Sequence, residues 1–160
     1  MNRLAWCTEI NNGIALVDPN DNLASAYFKK AENALDAMHS VNPKEWKIST
    51  GYYSLYFSLY AVLMKIGIHS ENHICSLEVM RELLKEYFTN AEVEMIDRAR
   101  RSRIDCQYYT SGDVPDVLLA AMITDVPRFL VRSRTIANQL TSDDIAAIRH
   151  VYRKLTTPEV

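Results

Sequence analysis

At 160 residues, with 48% hydrophobic and 24% charged side chains, the chain is long enough to bury a substantial core and has the make-up of an ordinary globular domain. Its net charge of −2 excludes binding of a polyanion through a global positive field, so any phosphate or nucleic-acid contact has to come from a local patch. With only 4 glycines and 5 prolines the chain makes few turns, which favours long helices over many short strands.

The first segment, residues 3–17, is amphipathic and predicts a short helix as far as Asn11, stopped by Asn12-Gly13. Asp18-Pro19-Asn20-Asp21 reads as a turn that caps a helix from Leu23 to His39, with Leu23, Ala26, Tyr27, Ala31, Ala34, Leu35 and Met38 on its apolar face. Asn42 is the expected N-cap of the next helix, Pro43 its first residue and Gly67 the residue just past its end at Ile66. Within it, Gly51–Lys65 is apolar over most of its circumference, as in a helix buried on several sides. A line of small residues, Gly51, Ser54, Ser58 and Ala61, admits a neighbouring helix closely, and Tyr52, Tyr53, Tyr56 and Tyr60 need hydroxyl partners if buried.

A polar loop, His69 to Asn72, leads to a helix over His73–Phe88 with Ile74, Leu77, Met80, Leu83, Leu84 and Phe88 facing inward. Thr89-Asn90 restarts the chain for a helix from Ala91 to Tyr109, and Thr110-Ser111-Gly112-Asp113 breaks it. A long helix from Pro115 towards Leu140 has to kink or break at Pro127. Thr141 to Asp144 caps a last helix over Ile145–Leu155. No repeat, linker or period-two alternation is present. The class is therefore all-α: one domain over 1–160, an antiparallel up-down bundle of four to five long helices with short terminal helices. Its core spans about 23–137, with 1–22 and 141–160 as terminal additions.

Cys7, Cys75 and Cys106 are scattered, odd in number and in no CxxC or Cys/His pairing, which predicts reduced thiols and a cytoplasmic protein. The opening residues lack a signal peptide's apolar run, and no apolar stretch approaches the ~18 residues of a membrane span.

The most unusual local feature is Arg98, Arg100, Arg101 and Arg103. The plain account is a solvated helix face, with Glu94–Arg98 and Asp97–Arg101 as i,i+4 pairs. Arg103, seven residues after Ile96, stays close to that apolar residue on the helix and points to the core edge, where a guanidinium needs an anionic partner or ligand. Asp105, Tyr108 and Tyr109 follow it. His69 and His73, with Glu71 and Cys75, have a spacing a metal site could use, but His69 precedes the helix and no second ligand cluster exists. Capping or loop contacts are the favoured reading, and no metal or cofactor is expected. No Walker loop, GxGxxG, GxSxG or HExxH occurs.

Together Ala31-Glu32, the run Gly51-Tyr52-Tyr53-Ser54-Leu55-Tyr56-Phe57-Ser58, Ser70 to His73, and Arg103-Ile104-Asp105-Cys106-Gln107-Tyr108 resemble, in order, the motifs of the HEPN domain family over about residues 23–137. The resemblance implies a helical bundle that forms a homodimer and binds nucleotide or RNA, often beside a minimal nucleotidyltransferase partner in a toxin–antitoxin pair. Many such domains are metal-independent RNases whose signature is an Arg, four to six residues, then a His. Arg103 matches the arginine, but the positions that follow at that spacing are Tyr108, Tyr109 and Thr110. A tyrosine, with its ordinary pKa near 10, is a poor acid or base at neutral pH. The implied reading is thus a binding module using Arg101, Arg103, Tyr108 and His73. The alternative is an RNase with Arg103 on the phosphate and Tyr108, Asp105 or His73 replacing the missing group.

Overall fold

A helix with small side chains along one line and large ones on either side can be surrounded, and the chain uses one such helix as its axis. The computed structural model describes residues 2–108 and 113–157. In order these form α1 (Arg3–Glu9), β1 (Ile14–Leu16), α2 (Asp21–Ser40), α3 (Lys44–Ile66), β2 (Ile68–Ser70), α4 (His73–Leu83), α5 (Asn90–Tyr108), α6 (Asp116–Gln139) and α7 (Ser142–Thr156). The architecture is an all-α bundle with a two-stranded antiparallel ribbon at one side.

Helix α3 packs most extensively on α2, then on α6 and α5. Gly51, Ser54, Ser58 and Ala61 are all buried. A Cβ on Gly51 would lie 2.7 Å from Met38 Sδ of α2 and 2.9 Å from Met122 Cε of α6, so hydrogen is the side chain that fits between those helices. Ser54 donates 2.8 Å to the carbonyl of Ala31 on α2 and Ser58 donates 2.7 Å back to Ser54, so neither buried hydroxyl is left unpaired. Leu4, Ile14, Ile148 and Tyr152 from the two ends of the chain join the same buried cluster.

The end of α3 is closed twice. Gly67 takes the left-handed conformation at φ 73°. Arg149 of α7 reaches across and donates through Nη1 to the carbonyls of Val17 (2.8 Å), Ile66 (3.1 Å) and Gly67 (2.7 Å). A cation on the last carbonyls of a helix satisfies acceptors and complements the helix dipole.

Several expectations are corrected. The segment before α2 is a seven-residue helix and then a strand, and the loop after Gly67 begins as a strand: Ile14 pairs with Ser70, Ala15 with His69 and Leu16 with Ile68. Three-residue strands are too short to show alternation in sequence. Pro43, not Asn42, is the residue before the first helical position. Helix α4 ends at Leu83, and Ile74, expected to face inward, is 46% exposed because it lines an open cleft against α5. Helix α6 runs through Pro127 without interruption; the carbonyl robbed of its donor belongs to the exposed Ile123. The expected break at 110–112 lies outside the described residues, as does Tyr109.

Cys7 and Cys75 are joined in a disulfide, with Cα atoms 5.7 Å apart across 68 residues of sequence, which corrects the expectation of reduced thiols. Helix α1 lies against α4, a tertiary contact that cysteine spacing alone does not reveal. Closing a loop of this length stabilises the fold by about 4 kcal/mol on the chain-entropy account. Cys106 is free. Among the described residues no helix is long and apolar enough to cross a membrane.

Removing the α3 cap has a measurable cost. Arg149→Ala is expected to lower the unfolding free energy by about 2 kcal/mol, the range for charge-assisted hydrogen bonds. Urea titration reads this as a lower midpoint at unchanged slope. An unchanged midpoint would mean that water serves these carbonyls equally well.

Candidate anion site between helices α4 and α5

Tyr52, Tyr56 and Tyr60 of α3 are buried and Tyr53 is half-buried, so their hydroxyls need partners, and those partners assemble the site. Tyr60 bonds His69 Nδ1 at 2.9 Å and accepts from the Ser70 amide at 3.3 Å. Tyr56 lies 3.3 Å from Ser76 Oγ. Tyr52 meets His73 Nδ1 in a short hydrogen bond. Tyr53 accepts from Arg103 Nη1 at 2.8 Å. The first three contacts fix β2 and the start of α4, and the fourth fixes α5.

His73 is the first residue of α4. Asn72 caps the helix through its side-chain oxygen, which accepts from the amides of Ile74 (3.0 Å) and Cys75 (3.2 Å). The imidazole stacks on Tyr56 with centroids 4.0 Å apart and planes 9° from parallel. Burial foremost, then the charges of Arg103 and Arg100, lowers its pKa from 6.5 to about 4. It is therefore neutral at physiological pH. Burial raises the Tyr52 pKa, so that hydroxyl keeps its proton. His73 Nδ1 is its only partner among the described residues, so the hydroxyl donates to Nδ1 and the ring proton resides on Nε2. Tyr56 is likewise pushed up to about 12 by burial.

Arg103 is half-buried, as its position relative to buried Ile96 predicts. Its guanidinium carbon lies 5.1 Å from the Tyr52 ring centroid and 5.3 Å from that of Tyr53. Its Nε is buried without a hydrogen-bond partner. Among the described residues no carboxylate lies within ion-pairing distance of it. Arg100, one turn earlier, is held by Asp97 through Nε and Nη2, each at 2.9 Å.

These side chains line a cleft of about 270 Å³ between α4 and α5: Asn72, His73, Arg100 and Arg103 on the polar side, Ile74 and Ile104 as apolar walls, and Glu71 as its one carboxylate. Glu71 is occupied by His69 Nε2 at 3.2 Å. The roomier concavity, about 570 Å³ along α6, is lined mainly by Pro127, Val131, Thr135 and Ile136, with Arg128 and Arg132 as its charges. Arg132 is already taken by Glu92 and the Tyr87 carbonyl. The smaller cleft concentrates the polar groups.

Of the expected site residues the structure brings Arg103 and His73 to one cleft and leaves the others outside it. Tyr108 is 75% exposed, because five residues carry it about 140° round the helix from Arg103. Asp105 lies on a different depression, with Ser102, Cys106 and Pro115. Arg101 is exposed and tied to Asp97 at 3.1 Å. Glu94 pairs with Arg81 of α4 rather than with Arg98. Arg100 and Asn72 also line the cleft; the sequence pointed to Arg100 only as one of the arginine cluster and to Asn72 only as part of the polar loop. Arg100 is three residues before Arg103, and that spacing was the available signal. Among the described residues no group of three His, Cys, Asp or Glu side chains is placed to hold a metal.

The electrostatics give a pH prediction. Because the His73 pKa is lowered in the fold, the unfolded chain binds more protons between pH 6.5 and 4, and stability from this group is lost as pH falls through that window. In an NMR titration the His73 ring is expected to titrate near pH 4. Arg103→Ala is expected to raise that midpoint, yet leave it below 6.5 because burial is the larger cause. A wild-type midpoint at 6.5 would contradict this placement of the ring. No known family model matches the chain, and no curated protein matches it in sequence.

Proposed function

We propose that the protein is a HEPN-like helical module that binds a phosphate group, of a nucleotide or of RNA, in the cleft between α4 and α5. The observation that carries this reading is Arg103: a half-buried guanidinium with no carboxylate partner among the described residues, opening on a cleft beside Arg100 and His73. Arginine is suited to phosphate, since its planar fork presents parallel donors. The N-terminus of α4, eleven residues long, adds the positive end of a helix dipole to the same cleft. The resemblance to the family rests on the sequence motifs quoted above, and a homodimer, a nucleotidyltransferase partner and a cytoplasmic location are part of the same proposal. In a reducing cytoplasm the Cys7–Cys75 bond would be transient.

The juxtaposition of Arg103 and His73 favours one rival, a metal-independent endoribonuclease of a toxin–antitoxin pair. His73 supplies, from α4, the imidazole missing after Arg103 on α5. The hydrogen bonding argues for binding over catalysis. The Nδ1 lone pair is used by Tyr52 and Nε2 carries a proton, so the neutral ring has no free basic nitrogen. With a pKa of about 4 it holds little charge with which to act as an acid at neutral pH.

Calorimetric titration with a nucleoside monophosphate tests the reading. Arg103→Ala is expected to weaken binding about 10- to 100-fold, the equivalent of one charge-assisted hydrogen-bonding group. Equal affinity in wild type and Arg103→Ala would remove the site. Incubation with single-stranded RNA in EDTA decides against the rival: intact RNA is expected, and cleavage lost in both Arg103→Ala and His73→Ala would establish the RNase. Sedimentation at micromolar concentration is expected to give the mass of a dimer, and a monomer would remove that part of the proposal.

A further inference from the structure

Cys75 is in the first turn of α4, two residues after His73, and its amide is one of the two that Asn72 caps. Asn72 and His73 both line the cleft. The Cys7–Cys75 bond therefore anchors the short segment that carries two of the cleft's polar groups. Its other end is in α1, a helix of seven residues, well below the length at which a helix persists alone. The remaining ties of α1 are noncovalent: it packs on α4 and on α7. Leu4 is buried, but the Arg3–Glu78 pair, at 3.3 Å, has the arginine side chain 78% exposed, and such a pair contributes little. The disulfide is the one covalent tie between α1 and the start of α4 among the described residues, added to their packing.

We propose that the Cys7–Cys75 bond is a redox lock on the anion site: a dithiol that opens it frees α1, loosens the first turn of α4 and weakens anion binding between His73 and Arg103. The proposal rests on the anion-binding reading of that cleft. In the reaction a thiolate of the dithiol attacks one sulfur, forming a mixed disulfide and expelling the other cysteine as a thiolate. The second thiol of the reagent then closes its own disulfide and releases the remaining cysteine. Two electrons pass from the dithiol to the protein, and its two protons end on Cys7 and Cys75. Both cysteines are fully buried, so attack follows local opening of α1. Linkage works in both directions: an anion in the cleft protects the bond by the same factor by which the bond strengthens anion binding.

The test compares the oxidised full chain, the same chain reduced with dithiothreitol under native conditions, and the Cys7→Ser/Cys75→Ser variant. Inorganic phosphate is the probe, with calorimetric affinity, His73 ring resonances and hydrogen exchange at residues 3–9 and 73–77 as readouts. Reduction is expected to weaken phosphate binding at least ~5-fold, the lower bound of ordinary coupling between sites, to raise exchange in both segments and to be reversed on reoxidation. The reduced wild type keeps the test valid if the double variant does not fold. Equal phosphate affinity and unchanged His73 resonances in the two redox forms would overturn the proposal, as would a bond that resists the dithiol. If phosphate binds neither form, the anion-binding reading is the one that fails. The lock is then judged by the His73 resonances, which support it if they move on reduction and overturn it if they do not.

Discussion

Everything in this molecule follows from the burial of α3 with its polar groups still attached. A helix enclosed by α2, α5 and α6 cannot leave hydroxyls unpaired, because each orphaned group costs about 1–3 kcal/mol. Four tyrosines and two serines thus dictate where other elements go. Ser54 ties α2, Tyr60 and Tyr56 hold β2 and α4, and Tyr52 and Tyr53 bring His73 and Arg103 to the same edge of the bundle. The cleft is a by-product of satisfying the core.

The chemistry of the cleft comes from the same burial. Stacked on Tyr56 and bonded to Tyr52, the His73 ring is desolvated beside two guanidinium groups, and so it is neutral in the free protein. Arg103 is positive whatever its surroundings, yet its Nη1 and its ring contacts go to tyrosines rather than to a carboxylate. The result is a site in which Arg103 has no carboxylate paired to it among the described residues, Arg100 is paired with Asp97 and Glu71 lines the same cleft, with no basic lone pair of His73 left free. On the proposed reading, an anion entering it would gain the Arg103 charge, a ring N–H and a helix N-terminus, and would raise the His73 pKa in return. On the proposed reading, that combination suits holding a phosphate rather than breaking one.

How much of this was legible in the sequence depends on the range of the interaction. The helical class, the span of α3, its small-residue line and the Gly67 cap follow from local periodicity and local backbone demands, and each is present. Arg103 at the core edge followed from its phase relative to Ile96. What stayed hidden was non-local. The β1–β2 ribbon, the Cys7–Cys75 bond and the Arg149 cap depend on residues 54, 68 and 83 positions apart or thereabouts, which no window of sequence displays. Tyr108 was favoured by spacing along one helix, whereas the group that meets Arg103's cleft, His73, comes from another helix altogether. The sequence led to the expectation of an anionic partner for Arg103; the structure gives it Tyr53 as hydrogen-bond partner and the Tyr52 and Tyr53 rings as neighbours, beside a cleft bordered by α4 and α5.

The most direct test of the central claim is to follow the guanidinium nitrogens themselves. In ¹⁵N-labelled protein titrated with inorganic phosphate at constant ionic strength, the Arg103 Nε resonance is expected to shift and saturate, while exposed Arg98 and Arg101 do not. A shift shared equally by all the arginines, growing with concentration and never saturating, would show a screened surface rather than a site and would contradict the account.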